Sequence, residues 1–230
     1  MAYFITGTDT DSGKTLVSSA LLYLVSQPST LLQQPKTLGL KPIASGCEMT
    51  NKGLRNADAL SLISQSTIKL PYERINPISF EPAIAPHIAA KKNGTDISVK
   101  TLLKKMHFSA LPEHDFCLIE GAGGWRLPLG NRQFMSQVVQ ALSLPVIMVV
   151  GMKLGCLNHA LLTQEAILAD GLNLSGWVAN CVDPNMSNFD DNLQSLTEMM
   201  RAPLLGTIPF LQNPTAKEAA KYINFSLVQN

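Results

Sequence analysis

The sequence predicts one α/β domain, spanning residues 1–230, built on a doubly wound, mainly parallel sheet. Three observations lead to this fold class. Short apolar runs alternate along the chain with segments whose apolar residues recur every three or four positions. Several of these runs lack polar alternation, which is typical of parallel strands buried on both faces. A glycine-rich loop follows the first apolar run and precedes the first helical pattern. No change in composition, internal repeat or low-complexity tract divides the chain.

Six strands and seven helices follow from these patterns. The strands are predicted over residues 3–6, 37–40, 116–119, 146–150, 176–181 and 204–208. The helices are predicted over residues 14–26, 57–64, 99–106, 134–142, 159–169, 192–200 and 216–224. Pro77, Pro82 and Pro86 interrupt the segment 72–87, so we expect an extended loop that packs over the sheet or the site. Ligands of such sheets bind outside the carboxyl ends of the strands, so functional side chains are expected just after each strand.

The composition excludes several classes of protein. A formal net charge of +1 gives no basis for a nucleic-acid partner. No apolar segment reaches membrane-spanning length, and the N-terminus runs directly into a strand and a glycine-rich loop rather than into a signal peptide. We therefore expect a cytoplasmic protein without a membrane partner. Its four widely spaced cysteines are then free thiols rather than metal ligands, and its histidines show no catalytic or metal spacing.

The loop over residues 7–15, with the sequence GTDTDSGKT, is the strongest functional signal. It has the strand–loop–helix context of a phosphate-binding loop. Gly13 lets the backbone approach phosphates closely, Lys14 adds a positive charge, and the Thr15 hydroxyl is placed to bind Mg²⁺. Five residues separate Gly7 from Gly13 where the usual loop has four, so this is a variant loop. The alternative is a turn rich in glycine and aspartate that contains a chance Gly-Lys-Thr.

Three charged residues lie at or near the next strand and helix ends. Lys41 directly follows the second strand, where its ammonium group could neutralise a transferring phosphoryl group, although a solvated lysine fits the same position. Asp58 lies near a helix start, where aspartate is often a cap. Glu120 follows the third strand beside glycines, a position suited either to holding Mg²⁺ or to capping a turn. Ser45 is placed to bind a small polar substrate.

The later strand ends offer contacts for a nucleotide and for an anion. A helix expected to start near Asn158 has free N–H groups that suit a phosphate or a carboxylate. Lys153 nearby is either electrostatic support or a solvated side chain. Asn180 offers a donor and an acceptor to a purine edge, or else belongs to a turn. Pro209 and Phe210 suit either the wall of a base-binding site or ordinary loop packing.

Taken together, these segments resemble the dethiobiotin synthetase family. The matching segments, in order, are GTDTDSGKT, KPIASG, RNADA, EGAGGW, VVGMKLGCLNHA, GWVANCV and PLLGTIPFL. They run from Tyr3 to about Leu211, and their ordered occurrence makes the resemblance specific. Ser12 stands where the family usually has valine, and Cys181 stands where an aspartate commonly follows the asparagine.

The resemblance implies a sheet of the P-loop nucleoside triphosphatase type and a cyclo-ligase that uses ATP and Mg²⁺. The family joins CO₂ to 7,8-diaminopelargonic acid through a carbamate and a carbamic–phosphoric anhydride, and it releases dethiobiotin, ADP and phosphate. The catalytic residues implied are Lys41 and Lys14, and the metal ligands implied are Thr15, Asp58 and Glu120. The nucleotide-binding residues implied are Asp11, Ser12, Gly13, Lys14, Thr15, Leu16, Asp58, Glu120, Gly121, Ala122, Gly123, Asn180, Cys181, Pro209, Phe210 and Leu211. The substrate-binding residues implied are Ser45 and, across a homodimer interface, the backbone N–H groups of Gly155, Cys156, Leu157 and Asn158.

Two other classes of protein share features with this chain. Nucleotide-driven switches that resemble the positioning and partitioning ATPases share the sheet and variant loops. They generally carry a further lysine early in the loop, and residues 8–12 contain none. A larger amidotransferase synthetase related to cobyric acid synthase requires a glutaminase domain, which 230 residues are too few to hold. A purely structural or binding role would leave Lys41, Asp58 and Glu120 unexplained.

Overall fold

Twelve strands and nine helices occur in residues 1–28 and 34–228, the part of the chain that this computed structural model describes. The strands are β1 (Ala2–Gly7), β2 (Thr37–Leu40), β3 (Ile43–Ala44), β4 (Glu48–Thr50), β5 (Gly53–Arg55), β6 (Ile78–Ser79), β7 (Phe116–Gly124), β8 (Pro128–Gly130), β9 (Gln133–Phe134), β10 (Val146–Met152), β11 (Leu174–Cys181) and β12 (Leu204–Ile208). The helices are α1 (Lys14–Ser26), α2 (Ala57–Gln65), α3 (Tyr72–Ile75), α4 (Pro86–Asn93), α5 (Val99–Met106), α6 (Met135–Ala141), α7 (Cys156–Ala169), α8 (Phe189–Met199) and α9 (Ala216–Ala220), with 3₁₀ turns at Phe108–Ala110 and Phe225–Val228.

Six strands form one parallel sheet in the order β12-β11-β10-β1-β7-β2. The sheet is buried on both faces, as the apolar strand sequences predict. Successive residues of β10 alternate between two apolar clusters. Met148 packs with residues of α5 to α8, whereas Ile147 and Val149 pack with residues of α1 and α9. Helices therefore cover both faces, and the predicted doubly wound, parallel sheet is confirmed. None of the helices described is both long and apolar enough to span a bilayer.

The strand order brings three carboxyl ends side by side. β7 lies between β1 and β2, and the register pairs Ile5 with Glu120 and Leu40 with Ile119. The loop after β1, the glutamate in β7 and Lys41 after β2 are therefore neighbours in space, although they are far apart in the chain.

Both edges of this sheet are covered within the chain. At the outer edge of β2, the Thr37 N–H donates to Thr67 Oγ1 at 2.7 Å. The Gly39 N–H, two residues on, donates to Ser66 Oγ at 2.9 Å. At the opposite edge, residues 222–224 lie along β12, with one β-bridge and one backbone hydrogen bond to the strand. Side chains and a terminal segment thus take the place of further strands.

Most predicted elements occur where the sequence places them. The helices α1 and α5 and the strands β2 and β12 have the predicted bounds, and most others differ by three residues or fewer. The strand predicted over residues 116–119 is longer, because β7 continues to Gly124. Pairing with β1 on that side sustains the extension, so Glu120 lies inside the strand rather than after it.

The structure explains why two of the helices differ from their predicted bounds. The helix predicted to begin near residue 159 begins at Cys156, because Gly155 adopts φ 92° and acts as its N-cap. The helix predicted over residues 216–224 ends at Ala220, because the residues that follow pair with β12.

The segment 72–87 is not the continuous extended loop that its prolines predict. It contains α3, the short strand β6 and the first residues of α4. Pro86 occupies the first position of α4, where proline is favoured because that position needs no N–H donor. The helix ends at Gly94 in the left-handed region, with φ 64°. The segment does pack over the site, since residues 83–86 line the main cavity.

Candidate active site

The phosphate loop connects β1 to α1, as predicted. Gly13 precedes the helix with φ 90°, a left-handed conformation that glycine adopts without steric cost. The Lys14 Nζ folds back to donate to the Asp9 carbonyl at 2.9 Å, so the lysine charge lies within the loop. Burial, together with the positive charge of Lys41, lowers the pKa of Lys14. The Lys153 Nζ lies 3.4 Å from Asp9 Oδ2, so this lysine supports the loop from outside.

Asn180 holds the phosphate loop from the end of β11. Its Nδ2 donates to the Ser12 carbonyl at 3.0 Å, and the residue is buried. A Cβ atom on Gly13 would lie 2.0 Å from the same Nδ2, which is a steric clash, so only glycine fits at this position. The structure therefore gives Asn180 a role in holding the loop, which the sequence does not predict.

The buried Lys41 and Glu120 form an ionic cluster beside the loop with the partly exposed Asp58. The Lys41 Nζ lies 2.7 Å from Glu120 Oε1 and 2.9 Å from Asp58 Oδ2, and it donates to the Gly121 carbonyl at 3.0 Å. Lys41 is 3% exposed and Glu120 is 0% exposed. Lys41 is therefore not a solvated lysine, and Glu120 is not an exposed carboxylate that caps a turn. The Thr15 Oγ1 donates to Glu120 Oε1 at 2.9 Å, which joins the loop to the cluster.

Lys41 and Asp58 both stay charged at neutral pH. Burial alone would lower the pKa of Lys41, but the carboxylates of Glu120 and Asp58 outweigh it and raise that pKa above its ordinary value of 10.5. Burial alone would raise the pKa of Asp58, but the Lys41 ammonium group outweighs it and lowers that pKa below 3.8. Lys41 therefore keeps its proton at neutral pH, and its ammonium group is held between the two carboxylates.

The cluster also fits a hard divalent cation such as Mg²⁺. Magnesium usually takes one or two protein carboxylates together with substrate phosphates and water. Glu120 Oε2 is buried and has no hydrogen-bond partner within the described part of the chain, so its lone pairs are available. The other oxygen of Glu120, Oε1, accepts from Thr15, and Thr15 also hydrogen-bonds Asp58, so the three residues implied as metal ligands lie together.

A cavity of about 720 Å³ opens over the loop and the ionic cluster. The polar residues that line it include Lys14, Thr15, Lys41, Asn56 and Asp58. The apolar residues that line it include Ala44, residues 83–86, Ala122 and Leu127. Ser45 also lines it, and the Ser45 hydroxyl is buried without a hydrogen-bond partner among the described residues. The cavity suits a ligand with a hydrocarbon chain and polar reacting groups.

Other residues implied as nucleotide contacts lie outside this cavity. Asn180 pairs with Ile208 in the sheet, so Pro209 and Phe210 continue directly beside it. Phe210 is 47% exposed and is free to pack against a ligand at that edge. Cys181 follows Asn180 at the end of β11.

The start of α7 presents fewer free N–H groups than the resemblance implies. The Cys156 N–H donates to the Lys153 carbonyl at 2.9 Å, and the Cys156 side chain is buried. Leu157 and Asn158 follow in the first turn, where N–H groups lack partners within the helix. Leu154, directly before the turn, is 95% exposed.

Sequence reasoning missed several side chains that hold the site. Asn56 caps α2 by accepting a backbone N–H of the first turn at 3.2 Å, which fixes the turn that carries Asp58. An asparagine directly before a helix is a start signal that could have identified it. Asp170 accepts from Trp125 Nε1 at 2.9 Å and from Arg126 at 3.0 Å, which anchors the chain just after β7. No spacing in the sequence links Asp170 with these residues.

Comparison with known proteins identifies relatives along nearly the whole chain. A family model described as an AAA domain matches residues 1–218. A protein named ATP-dependent dethiobiotin synthetase BioD from Cellvibrio japonicus is 49% identical over 225 residues, which cover 98% of this chain and 96% of the relative. Proteins of the same name are 47% identical over 223 residues in Pseudomonas aeruginosa, covering 97% and 96%, and 44% identical over 229 residues in Vibrio parahaemolyticus, covering 100% and 98%.

Solved structures share the fold at low sequence identity. The septum site-determining protein MinD complexed with Mg-ADP, from Pyrococcus horikoshii, gives a TM-score of 0.54 at 17% identity and covers 99% of this chain and 89% of its own. A ParA family ATPase from Chlorobium tepidum gives 0.55 at 14% identity and covers 99% and 91%. At these identities the likeness shows the fold alone, which is a P-loop nucleoside triphosphatase sheet.

The ordered motifs and the sequence comparisons lead to the same family, so the predicted resemblance is confirmed. The phosphate loop, the buried lysine and the adjoining cavity give that family assignment a structural basis. The chain therefore belongs to the family of ATP-dependent dethiobiotin synthetases, within the AAA domain family, and is a ligase.

Proposed function

We propose that the chain joins CO₂ to the two amines of 7,8-diaminopelargonic acid, with dethiobiotin, ADP and phosphate as products. The observation that carries the proposal is a cavity lined both by residues of the phosphate loop and the Lys41 cluster and by apolar residues. The charged residues suit phosphoryl transfer, and the apolar residues suit the hydrocarbon chain of the diamine.

The first step is attack of one amine nitrogen on the carbon of CO₂. A carbon–nitrogen bond forms, a proton leaves the nitrogen, and the resulting carbamate carries negative charge on its oxygens. Lys41 stays protonated between its two carboxylates and attracts that charge. The Ser45 hydroxyl, which has no other partner in the described residues, donates to a carbamate oxygen.

In the second step a carbamate oxygen attacks the γ-phosphorus of ATP and the bond to the ADP oxygen breaks. The product is a carbamic–phosphoric anhydride, and negative charge develops on the oxygens around phosphorus. Lys14 within the loop and Lys41 beside it neutralise this charge, while loop N–H groups hold the phosphates. Mg²⁺, when bound by Thr15, Asp58 and Glu120, supplies further positive charge to the phosphates.

The third step closes the ureido ring. The second amine attacks the carbamoyl carbon, a second carbon–nitrogen bond forms, the bond to the phosphate oxygen breaks, and a proton leaves. The sequence of steps requires no protein nucleophile, and no described cysteine or histidine lines the cavity. Burial raises the pKa of the Cys117 thiol to about 12, which keeps that group protonated.

A second copy of the chain completes the site. The diamine carries a carboxylate at the far end of its chain, and the N–H groups of Leu157 and Asn158 at the start of α7 suit that group. Among the described residues, none from α7 lines the cavity of its own subunit. Leu154 and Leu162, which are 95% and 55% exposed beside this helix start, provide apolar surface for the contact between subunits.

The test is ATP turnover in a short assay with ¹⁸O-labelled bicarbonate, with and without the diamine. We expect phosphate release to depend on the diamine and the product to have the mass of dethiobiotin. One labelled oxygen should appear in the phosphate, because the carbamate oxygen that attacks phosphorus leaves with it. Phosphate release that ignores the diamine, or that responds instead to a protein or a membrane, would favour a nucleotide-driven switch.

A further inference from the structure

Asn76, which lies between α3 and β6, uses its whole side chain for hydrogen bonds. Its Nδ2 donates to the Lys41 carbonyl at 2.6 Å and to the Ile78 carbonyl at 3.3 Å. Its Oδ1 accepts from the Tyr72 and Ser79 hydroxyls, each at 2.9 Å. An amide offers two donors and two acceptor positions, so each is occupied. The residue is 2% exposed, and nothing in the reaction described above uses it.

The Tyr72 hydroxyl extends this network to α2. It accepts the Asn56 N–H at 2.7 Å while it donates to Asn76. Asn56 is the N-cap of α2, and Asp58 lies in the first turn of that helix. Asp58 in turn pairs with the Lys41 ammonium group at 2.9 Å. The chain of contacts that starts at the Lys41 carbonyl therefore ends at the Lys41 side chain.

These contacts form a closed ring, here called the lysine ring, which consists of Lys41, Asn76, Tyr72, Asn56 and Asp58. It joins the strand end that carries the lysine to the helix start that carries the carboxylate. The phosphate loop touches the lysine ring through Thr15, whose side chain hydrogen-bonds Asp58. The contacts of Lys14 with Asp9 inside the loop and of Asn180 with Ser12 lie outside the ring.

We propose that Asn76 and Tyr72 are positioning residues, which hold Lys41 and Asp58 in the relative position that phosphoryl transfer requires. The proposal rests on the proposed function of those two charged residues. Neither Asn76 nor Tyr72 is among the described residues that line the cavity, so both act through their neighbours. A displacement of ~1 Å can cost about 100-fold in rate, so a loosened ring lowers kcat. The KM for ATP changes little, because the phosphates bind at the loop.

Tyr72→Phe opens the lysine ring and keeps the local packing. The substitution removes the hydroxyl group that joins Asn56 to Asn76. The aromatic side chain itself stays beneath the Arg55 guanidinium, whose central carbon lies 4.0 Å from the centroid of the aromatic ring. We expect kcat to fall about 10- to 100-fold with less than about a twofold change in the KM for ATP. The Asn56 amide loses its acceptor, so we also expect its hydrogen exchange with solvent to become faster.

Ser79→Ala is the matched control. It removes the other hydroxyl bound to Asn76 Oδ1 but leaves the lysine ring closed. We expect its kcat to stay within about twofold of the wild type. Asn76→Asp is the stronger variant, because it sets a carboxylate oxygen against the Lys41 carbonyl, where the amide donates at 2.6 Å. We expect its kcat to be lower than that of Tyr72→Phe, with thermal unfolding confirming that each variant is folded.

Either of two results would overturn the proposal. In the first, the kcat of Tyr72→Phe falls no further than the kcat of Ser79→Ala. In the second, the hydrogen exchange of the Asn56 amide in Tyr72→Phe equals that in the wild type. Failure of the proposed function is seen separately, because wild-type protein would then form no ureido product. In that case the lysine ring is tested by the hydrogen exchange of the Asn56 amide and by the rate of MgATP hydrolysis, each compared between wild type, Tyr72→Phe, Ser79→Ala and Asn76→Asp.

Discussion

At the scale of single residues, the ammonium group of Lys41 accounts for most of the chemistry proposed here. Two carboxylates and one carbonyl hold it, and it is almost fully buried. Lys41→Met keeps the length and burial of the side chain but removes its charge. We expect diamine-dependent phosphate release to fall by about 10²- to 10³-fold, the scale of losing one electrostatic contact to a transition state. Lys36→Met is the control, because that lysine pairs with Glu113 on the surface. Near wild-type turnover in Lys41→Met would remove the catalytic assignment.

The same cluster sets a pH dependence of stability. The pKa of Asp58 is lowered, so its contribution is present above its ordinary value of 3.8 and is lost as the pH falls through the folded pKa. The pKa of Lys41 is raised, so its contribution is present below its ordinary value of 10.5 and is lost as the pH rises through the folded pKa. We expect the difference in unfolding free energy between wild type and Lys41→Met to be largest near neutral pH and to shrink on either side. Urea unfolding over a pH series measures it, and a difference that grows in acid would contradict the ion pairing.

Glu120→Gln tests the metal assignment. The substitution keeps the shape of the side chain but replaces a carboxylate with a weaker ligand for Mg²⁺. We expect the Mg²⁺ concentration for half-maximal turnover to rise about tenfold or more. Glu113→Gln, at an exposed carboxylate, is the control. An unchanged Mg²⁺ titration would exclude Glu120 from the metal ligands.

Some site residues could be predicted from the sequence, and others could not. Lys14 and Thr15 stand at fixed positions in a recognisable loop, and Lys41 directly follows a strand. Their meeting follows from one physical rule, since parallel strands place their carboxyl ends at the same edge. Asn76 and Tyr72 lie in a segment without periodic pattern, and their contacts depend on how that segment folds onto β2 and α2. Such contacts arise from tertiary packing, which no local spacing encodes.

At the scale of elements, the turn into α1 depends on glycine for two separate reasons. Gly13 has φ 90°, and a Cβ there would lie 2.0 Å from Asn180 Nδ2. We expect Gly13→Ala to weaken ATP binding and to lower the free energy of unfolding by more than the roughly 1–2 kcal/mol cost of a left-handed alanine. Gly171→Ala is the matched control, because that glycine has φ 75° and no atom within 4 Å of the added Cβ. An equal loss of unfolding free energy in the two variants would show that the Asn180 side chain moves away from the added Cβ without a cost in stability.

Element prediction succeeded where periodicity was long and failed where tertiary contacts decide. The helices α1 and α5 show regular apolar spacing, and both have the predicted bounds. The strands β3 and β6 have two residues each and exist because they pair with one another. The helix α4 lies where the prolines predict a loop, although Pro86 and Gly94 mark its two ends.

At the scale of the whole molecule, the proposed shared site predicts complementation between two impaired variants. Asn158→Asp adds a negative charge at the start of α7, where acidic groups stabilise a helix by about 0.3–1 kcal/mol, so the fold is kept. The added charge repels the substrate carboxylate, and we expect the KM for the diamine to rise about tenfold or more. Mixed with Lys41→Met, it should restore turnover in heterodimers. One site then combines an intact lysine with an intact helix start from the other subunit.

Random mixing gives half heterodimers with one intact site each, so at diamine concentrations well below KM turnover should approach about a quarter of the wild-type value. Asn158→Ser is the control, because it also replaces the amide but adds no charge. A mixture no more active than its separate components would show that each chain binds the carboxylate by itself, or that the chain does not dimerise.

The edges of the sheet also determine how separate chains can meet. In β2, Thr67 and Ser66 hydroxyls take the outward N–H groups, and the C-terminal segment covers β12. An uncovered edge strand is a template on which another chain can continue the sheet, and that is a common start of aggregation. Here neither edge offers such a row of free groups in the described residues. Concentrated solutions of this protein should therefore resist fibril growth through the central sheet, and copies should associate by their helical faces instead.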